Sequence, residues 1–375
     1  MLSCRVGTDS LGAAAYGGGM PSQHNALHFV GSVPLESSEA VLRRLGGDLG
    51  EYLRRIPDGE TGERTKWIRV QQAMLMRHPA IEIDSTQAPL PVKQSDGTVL
   101  RHIDLVRLKL SVDPATVAFD TGYERPALES YAAFVRLRKE GIIPRHLRFQ
   151  VTLATPMATG FMYVSPVGRD RYLRAYERSL LLDLEAILAG IPHRDLSVQF
   201  DVCHEVLMFE NYFPVTEPDY KAKVFAQLGR LAGAVPDDVD LGFHLCYGSP
   251  GDQPLVRLRD AGVLTEIMNG IAAGMPRRVD FIHVPVPKEA GAAFFEPLRD
   301  WQGSNETWLY LGLLQEGDVS GNRTRIMAAR SVVPDFGVAA ECGFGRRDPT
   351  HVAAILATHE QAARDVEPLV GVGRQ

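Results

Sequence analysis

Short apolar or β-branched runs recur along the chain, most of them followed by a longer segment whose apolar positions repeat every three to four residues. The runs cover 27–31 (LHFVG), 53–57 (LRRIP), 147–153 (LRFQVTL), 196–201 (LSVQFD), 239–245 (VDLGFHL), 279–284 (VDFIHV), 308–313 (WLYLGL) and 336–341 (FGVAAE). Helical periodicity marks 37–49, 169–189, 219–234, 254–273 and 350–365; in the second of these Tyr172, Ala175, Tyr176, Leu180 and Leu184 share one face. Strands alternating with helices of this length predict parallel βαβ units, and eight of them predict closure into a single (β/α)8 TIM barrel of the α/β class. An open, doubly wound sheet is the alternative, but no GxGxxG follows a strand to support a dinucleotide fold.

The interval 69–146 breaks the rhythm between the second and third predicted strands. It holds the polar turn QSDGT at 94–98 and a period-2 stretch over 102–110 that reads as a hairpin, so it is expected to be a hairpin-like insertion on the barrel. No internal repeat or low-complexity linker divides the rest. The expected organisation is a flexible leader over 1–25 and one barrel domain over 26–375.

Composition narrows the function classes. A net charge of −6 with scattered arginines leaves no footprint for nucleic acid or for a basic membrane patch. No run of 18 apolar residues predicts a spanning helix, and the leader lacks the apolar segment of a signal peptide, so the expected setting is the cytoplasm. The four cysteines, Cys4, Cys203, Cys246 and Cys342, lie far apart without a CxxC pair, which argues against a disulfide framework. Oligomeric state leaves no signature, since barrel helices present apolar faces with or without a partner.

The sharpest chemical feature is FHLCY at 243–247. Residues i and i+2 of a strand point to the same side, so His244 and Cys246 project together at a strand's C-terminal end, where barrels keep their active sites. His283 ends the sixth predicted strand and Cys342 the eighth, making four candidate ligands, two imidazoles and two thiols, that suit a thiophilic ion such as zinc. Each also reads as a packed core residue. A second, acidic set comprises Glu60 in PDGE, with Arg64 and Trp67 beyond it, and Asp201, followed by His204 and Glu205. Strand-end carboxylates can hold an ammonium group or act as acid and base; PDGE also reads as an ordinary turn and Asp201 as a helix cap.

In order, these motifs resemble the catalytic barrel of cobalamin-independent methionine synthase, over about 27–347. FVGSVP resembles the family's IGSFP segment, which implies that Gly31 and Ser32 hold an amino acid substrate. PDGE resembles HGE and VQFDVCHE resembles QIDEPAL, which implies that Glu60 and Asp201 contact the substrate amine. HLCY resembles HMCY, and ECGFGRR resembles DCGLKTR, which makes His244, Cys246 and Cys342 the implied zinc ligands. VTLATPMATG is similar to a threonine-glycine-proline strand end. The family's reaction moves a methyl group from a methylated folate to a thiol held on zinc, and a related branch attaches a thiol to an epoxide.

Departures shape the expectation as much as matches. His283 stands where the family has a glutamate ligand, Ser320 stands opposite its acid histidine, and Val202 follows Asp201 in place of a second acid, with Glu205 as the substitute. The expected function is a zinc-dependent methyl- or alkyltransferase with a small thiol substrate and an alkyl or methyl donor, folate included. Asp201 and Glu205 would be catalytic, Gly31, Ser32, Glu60 and Asp201 would bind substrate, and His244, Cys246, His283 and Cys342 would bind metal. Arg64, Arg323, Arg346 or Arg347 would meet a substrate carboxylate, and Trp67, Phe161 or Tyr163 would stack on a ring. A lyase cleaving C–S bonds on the same barrel, and a non-catalytic ligand-binding barrel, are the alternatives.

Overall fold

The computed structural model describes residues 26–215 and 217–370; the leader expected over 1–25 lies outside them. The chain begins with β1 (Leu27–His28), α1 (Ser38–Leu49), β2 (Arg55–Pro57) and α2 (Arg69–Arg77). Four short strands follow: β3 (Ile81–Ile83), β4 (Leu90–Lys93), β5 (Val99–Ile103) and β6 (Val106–Leu108). Next come α3 (Glu124–Lys139), β7 (Arg148–Ala154), α4 (Pro156–Tyr163), α5 (Arg169–Gly190), β8 (Leu196–Val202), α6 (His204–Phe209) and α7 (Tyr220–Gly233). The last part holds β9 (Asp240–Leu245), α8 (Gly262–Gly274), β10 (Phe281–Pro285), α9 (Ala292–Phe295), β11 (Trp308–Leu314), α10 (Val319–Arg330), β12 (Gly337–Ala340) and α11 (Val352–Val370).

Eight strands form one parallel sheet in the order β1-β12-β11-β10-β9-β8-β7-β2, and a bridge between Leu27 and Leu53 joins its two ends into a nearly closed barrel. Each barrel strand sorts its residues by the two-residue period. On β8, Val198, Phe200 and Val202 are fully buried hydrophobes, while Gln199 and Asp201 share the other face and hydrogen-bond along the strand at 3.0 Å. On β9, Leu241, Phe243 and Leu245 alternate with Gly242 and His244 in the same way. Gly242 is required there, because a Cβ would lie 2.2 Å from the Phe281 ring that fills the barrel below the site. The Arg55 guanidinium lies 3.8 Å from that ring's centre and closes this lower layer.

Between β2 and β7 the small strands pair antiparallel, β3 with β6 and β4 with β5. The QSDGT turn, with Gly97 at φ 91, joins β4 to β5. The period-2 stretch over 102–110 is therefore not itself a hairpin: its two parts, in β5 and β6, pair with different partners. The helix expected over 254–273 begins only at Gly262, because 254–261 runs as loop and Pro254 gives its carbonyl to Ser95 N–H at 2.9 Å. Among the described residues no helix is long and apolar enough to cross a membrane.

Candidate metal and substrate site

The C-terminal ends of the barrel strands surround a cavity of about 320 Å³, lined by Gly31, Ser32, Glu60, Trp67, Asp201, His244, Cys246 and Cys342 among others. His244, Cys246 and Cys342 bring their ligand atoms within 4.8 Å of one another. Cys246 Sγ and Cys342 Sγ are 3.8 Å apart, and Cys342 Sγ is 3.6 Å from His244 Nε2. Tetrahedral bonds of about 2.3 Å to sulfur and about 2.05 Å to nitrogen would set these separations at about 3.8 Å and about 3.6 Å. Both separations made by Cys342 thus match those of zinc, and the third lies within 4.8 Å. Contact with Cys246 and burial push the Cys342 thiol above its ordinary range, so a divalent cation is what would hold both sulfurs as thiolates.

His283, expected as a fourth ligand, stands outside this cluster of three. Register across β9 and β10 sets His283 level with His244, and both its ring nitrogens are engaged. Nε2 donates to the Ala340 carbonyl at 2.9 Å, and Nδ1 lies 2.8 Å from His244 Nδ1. Burial lowers His283 to about 3, so the ring is neutral and its Nδ1 can only accept. His244 must then donate from Nδ1, which leaves its Nε2 lone pair facing Cys342. His283 fixes the tautomer of a ligand. Groups in this position typically tune metal affinity ten- to a hundredfold. His283→Ala is therefore expected to weaken zinc binding by about that factor while keeping one ion at saturation, as read by chelator competition. Loss of all capacity would instead make His283 a ligand.

The acidic side of the cavity is equally fixed. Asp201 accepts from Trp67 Nε1 at 3.1 Å and from Gln199 Nε2 at 3.0 Å, and Gln199 in turn accepts from His28 Nε2 at 3.0 Å. Asp58 builds the turn that carries Glu60: it accepts from Glu60 N at 2.9 Å, from Ser130 Oγ at 2.9 Å and from Arg64 at 2.6 Å. The turn needs Gly59 at φ 81, where a Cβ would meet Val41 at 2.5 Å, and it puts Glu60 itself at φ 44. Gly31 leaves room for the carboxylate, since a Cβ there would lie 3.1 Å from Glu60 Oε2. Burial, then the Asp201 charge, raise Glu60 well above the usual carboxylate range; burial, then the Cys342 charge, do the same to Asp201. Ser32 ties the first strand end to the last, accepting Gly345 N–H at 3.0 Å on Oγ and Phe344 N–H at 2.7 Å on its carbonyl.

Other expected residues fall elsewhere. Glu205 is fully buried on α6, outside the cavity lining, and neither carboxylate oxygen has a hydrogen-bond partner. Its catalytic assignment is not supported by this position. Arg64 is committed to Asp58, Arg346 and Arg347 both pair with Asp252, and Arg323 sits on α10 away from the cavity. Ser320 is exposed at the start of α10. Of the three expected stacking rings only Trp67 lines the cavity; Phe161 packs under Arg169, and Tyr163 donates to the Ile68 carbonyl. Gln199 and His28 were not singled out from the sequence, although Gln199 lies two residues before Asp201, the spacing that puts both on one strand face.

No family model matches the chain, and no curated protein matches it. Among solved structures, it is similar to a Listeria monocytogenes protein assigned as a vitamin-B12-independent methionine synthase, with TM-score 0.54 and 13% identity over 88% of this chain and 86% of that one. A methyltransferase from Methanosarcina mazei is more distant, with TM-score 0.41 and 13% identity over 63% of this chain and 64% of that one. At such identities the first likeness establishes a shared barrel fold alone, and the second carries no argument.

Proposed function

We propose that this barrel is a zinc-dependent methyl- or alkyltransferase whose acceptor is a small thiol. The observation that carries the reading is the spacing of His244, Cys246 and Cys342 at 3.8 Å and 3.6 Å, beside a cavity that also holds Asp201 and Glu60. Three ligands leave one position for the substrate's sulfur, the arrangement of catalytic rather than structural zinc. Zinc bound there would lower the thiol pKa and supply a thiolate at neutral pH.

The chain's own residues do the rest. Trp67 and Gln199 hold Asp201 through one oxygen each, so its remaining lone pairs can accept from a substrate ammonium. Glu60, oriented by the Asp58 turn, approaches the same space across Gly31. Burial raises both carboxyls, helped at Glu60 by the Asp201 charge and at Asp201 by the Cys342 charge, so both gain from a cationic partner, which favours an amino thiol over a neutral one. The fixed hydrogen bonds keep these groups from reorganising when substrate arrives.

Elemental mass spectrometry of the purified protein is expected to give about one zinc per chain, and calorimetry is expected to show cysteamine binding more tightly than 2-mercaptoethanol to the zinc-loaded protein. A wild-type chain that takes up no zinc after incubation and removal of excess would overturn the reading.

A further inference from the structure

The cavity carries charge of both signs. His244, Cys246, Cys342, Asp201 and Glu60 share its lining with four cationic side chains, Lys66, Arg69, Arg101 and Arg346, of which Arg101 comes from the β4–β5 hairpin. Two of these cations are already matched. Lys66 pairs with Glu63 at 2.6 Å, and Arg346 pairs with Asp252 at 2.5 Å while donating to the Gly343 carbonyl at 2.6 Å. Arg101 and Arg69 make no hydrogen bond or ion pair among the described residues, and Arg101 Nε is buried with no acceptor. A buried guanidinium N–H without a partner is costly in a folded chain and marks a place where a ligand would supply the acceptor.

Arg101 is held firmly where it is. It belongs to β5, and the β4–β5 hairpin is pinned across the barrel mouth. Gln94 Nε2 donates to the Pro250 carbonyl at 3.0 Å and Ser95 N to the Pro254 carbonyl at 2.9 Å. On the β4 strand, Lys93 N donates to Tyr212 Oη at 2.8 Å, and Tyr212 Oη lies 3.0 Å from the Lys93 carbonyl. Val92, from the same hairpin, lines the cavity beside Arg101.

We propose that Arg101, with Arg69 lining the same cavity, is the receptor for an oxyanion carried by the second substrate, the group donor. The planar fork of Arg101 suits two-point binding of a carboxylate, sulfonate or phosphate ester. The carboxylates of Asp201 and Glu60 repel the same group, so the donor is oriented with its anionic end toward the hairpin and its transferable carbon toward the sulfur. The word donor rests on the transferase reading above; the anion receptor itself does not.

The test titrates benzoate, benzenesulfonate, phenyl phosphate and neutral benzamide by calorimetry into chelator-treated wild type, Arg101→Gln and Arg101→Lys. A Cys246→Ser/Cys342→Ser double variant, which has no metal for an anion to bind, is titrated in parallel. At least one anion is expected to bind about tenfold or more tightly than benzamide in both wild type and the double variant. Arg101→Gln is expected to bring it down to the level of benzamide, and Arg101→Lys to recover part of the difference. The anion that binds best identifies the donor's charged group. Equal binding of all four compounds, or an anion preference that survives in Arg101→Gln, would overturn the proposal. Anion binding by a chain that never takes up zinc would uphold the receptor and overturn the metal reading alone.

Discussion

Cys342→Ser is expected to leave purification with less than about a tenth of the wild-type zinc, and to lose thiol binding with it. Cys342 touches both other ligands, at 3.8 Å from Cys246 and 3.6 Å from His244, so no arrangement of the remaining pair restores a three-point site. A serine hydroxyl is not deprotonated in a buried setting and offers only a weak neutral donor. If zinc affinity on the order of 12 kcal/mol is shared among the ligands, removing one thiolate costs several kcal/mol, a loss of about a thousandfold. The fold should survive, because Cys342 follows β12 and is only half-buried, so the thermal transition of the substituted chain serves as the control. Full zinc content in a folded Cys342→Ser chain would mean that the cluster is packing rather than a site.

Glu205→Gln is expected to stabilise the protein at pH 8 and to leave thiol binding unchanged. Burial pushes the Glu205 carboxyl up to about 7 from an ordinary 4.5, with slight relief from the nearby Thr155 hydroxyl. A carboxyl raised in the folded state favours folding fully below its unfolded pKa of about 4.5, and that contribution is lost as pH rises through about 7. At pH 8 the unfolded chain holds Glu205 ionised in water while the folded chain buries it without a partner, at a cost on the order of 3 kcal/mol. Glutamine keeps the shape and removes the charge, so the gain should grow between about pH 4.5 and about pH 7, be full above that and vanish below about pH 4.5 in chemical unfolding curves. A loss of stability at pH 8, or loss of thiol binding, would restore a working role to this carboxylate.

The barrel could be read from the sequence because each of its strands is a short apolar run followed by a helical or loop segment. The His/Cys/Cys cluster could be read because His244 and Cys246 are two residues apart and Cys342 ends another strand. His283 stands apart from the cluster of three for a reason that sequence does not contain. Ending a strand fixes which side a residue faces but not its height, and pairing places His283 level with His244, one layer below Cys246. Glu205 shows the same limit on a helix: its neighbours Cys203 and His204 line the cavity, and a rotation along α6 turns Glu205 away from it. Arg101 left no signal at all, since its place depends on hydrogen bonds from the hairpin to Pro250, Pro254 and Tyr212, more than a hundred residues away in sequence.

That pinned hairpin separates what the barrel does from what it accepts. The candidate metal ligands and the carboxylates stand on barrel strands or on turns leaving them, where a change of backbone would disturb the barrel itself. The roof is a single excursion of the chain, fastened mainly through main-chain groups that most side-chain substitutions would not alter. One electrophile could therefore be exchanged for another by rewriting a dozen residues of roof over an unchanged hearth, and comparison of distant barrels should find variation concentrated over 90–103.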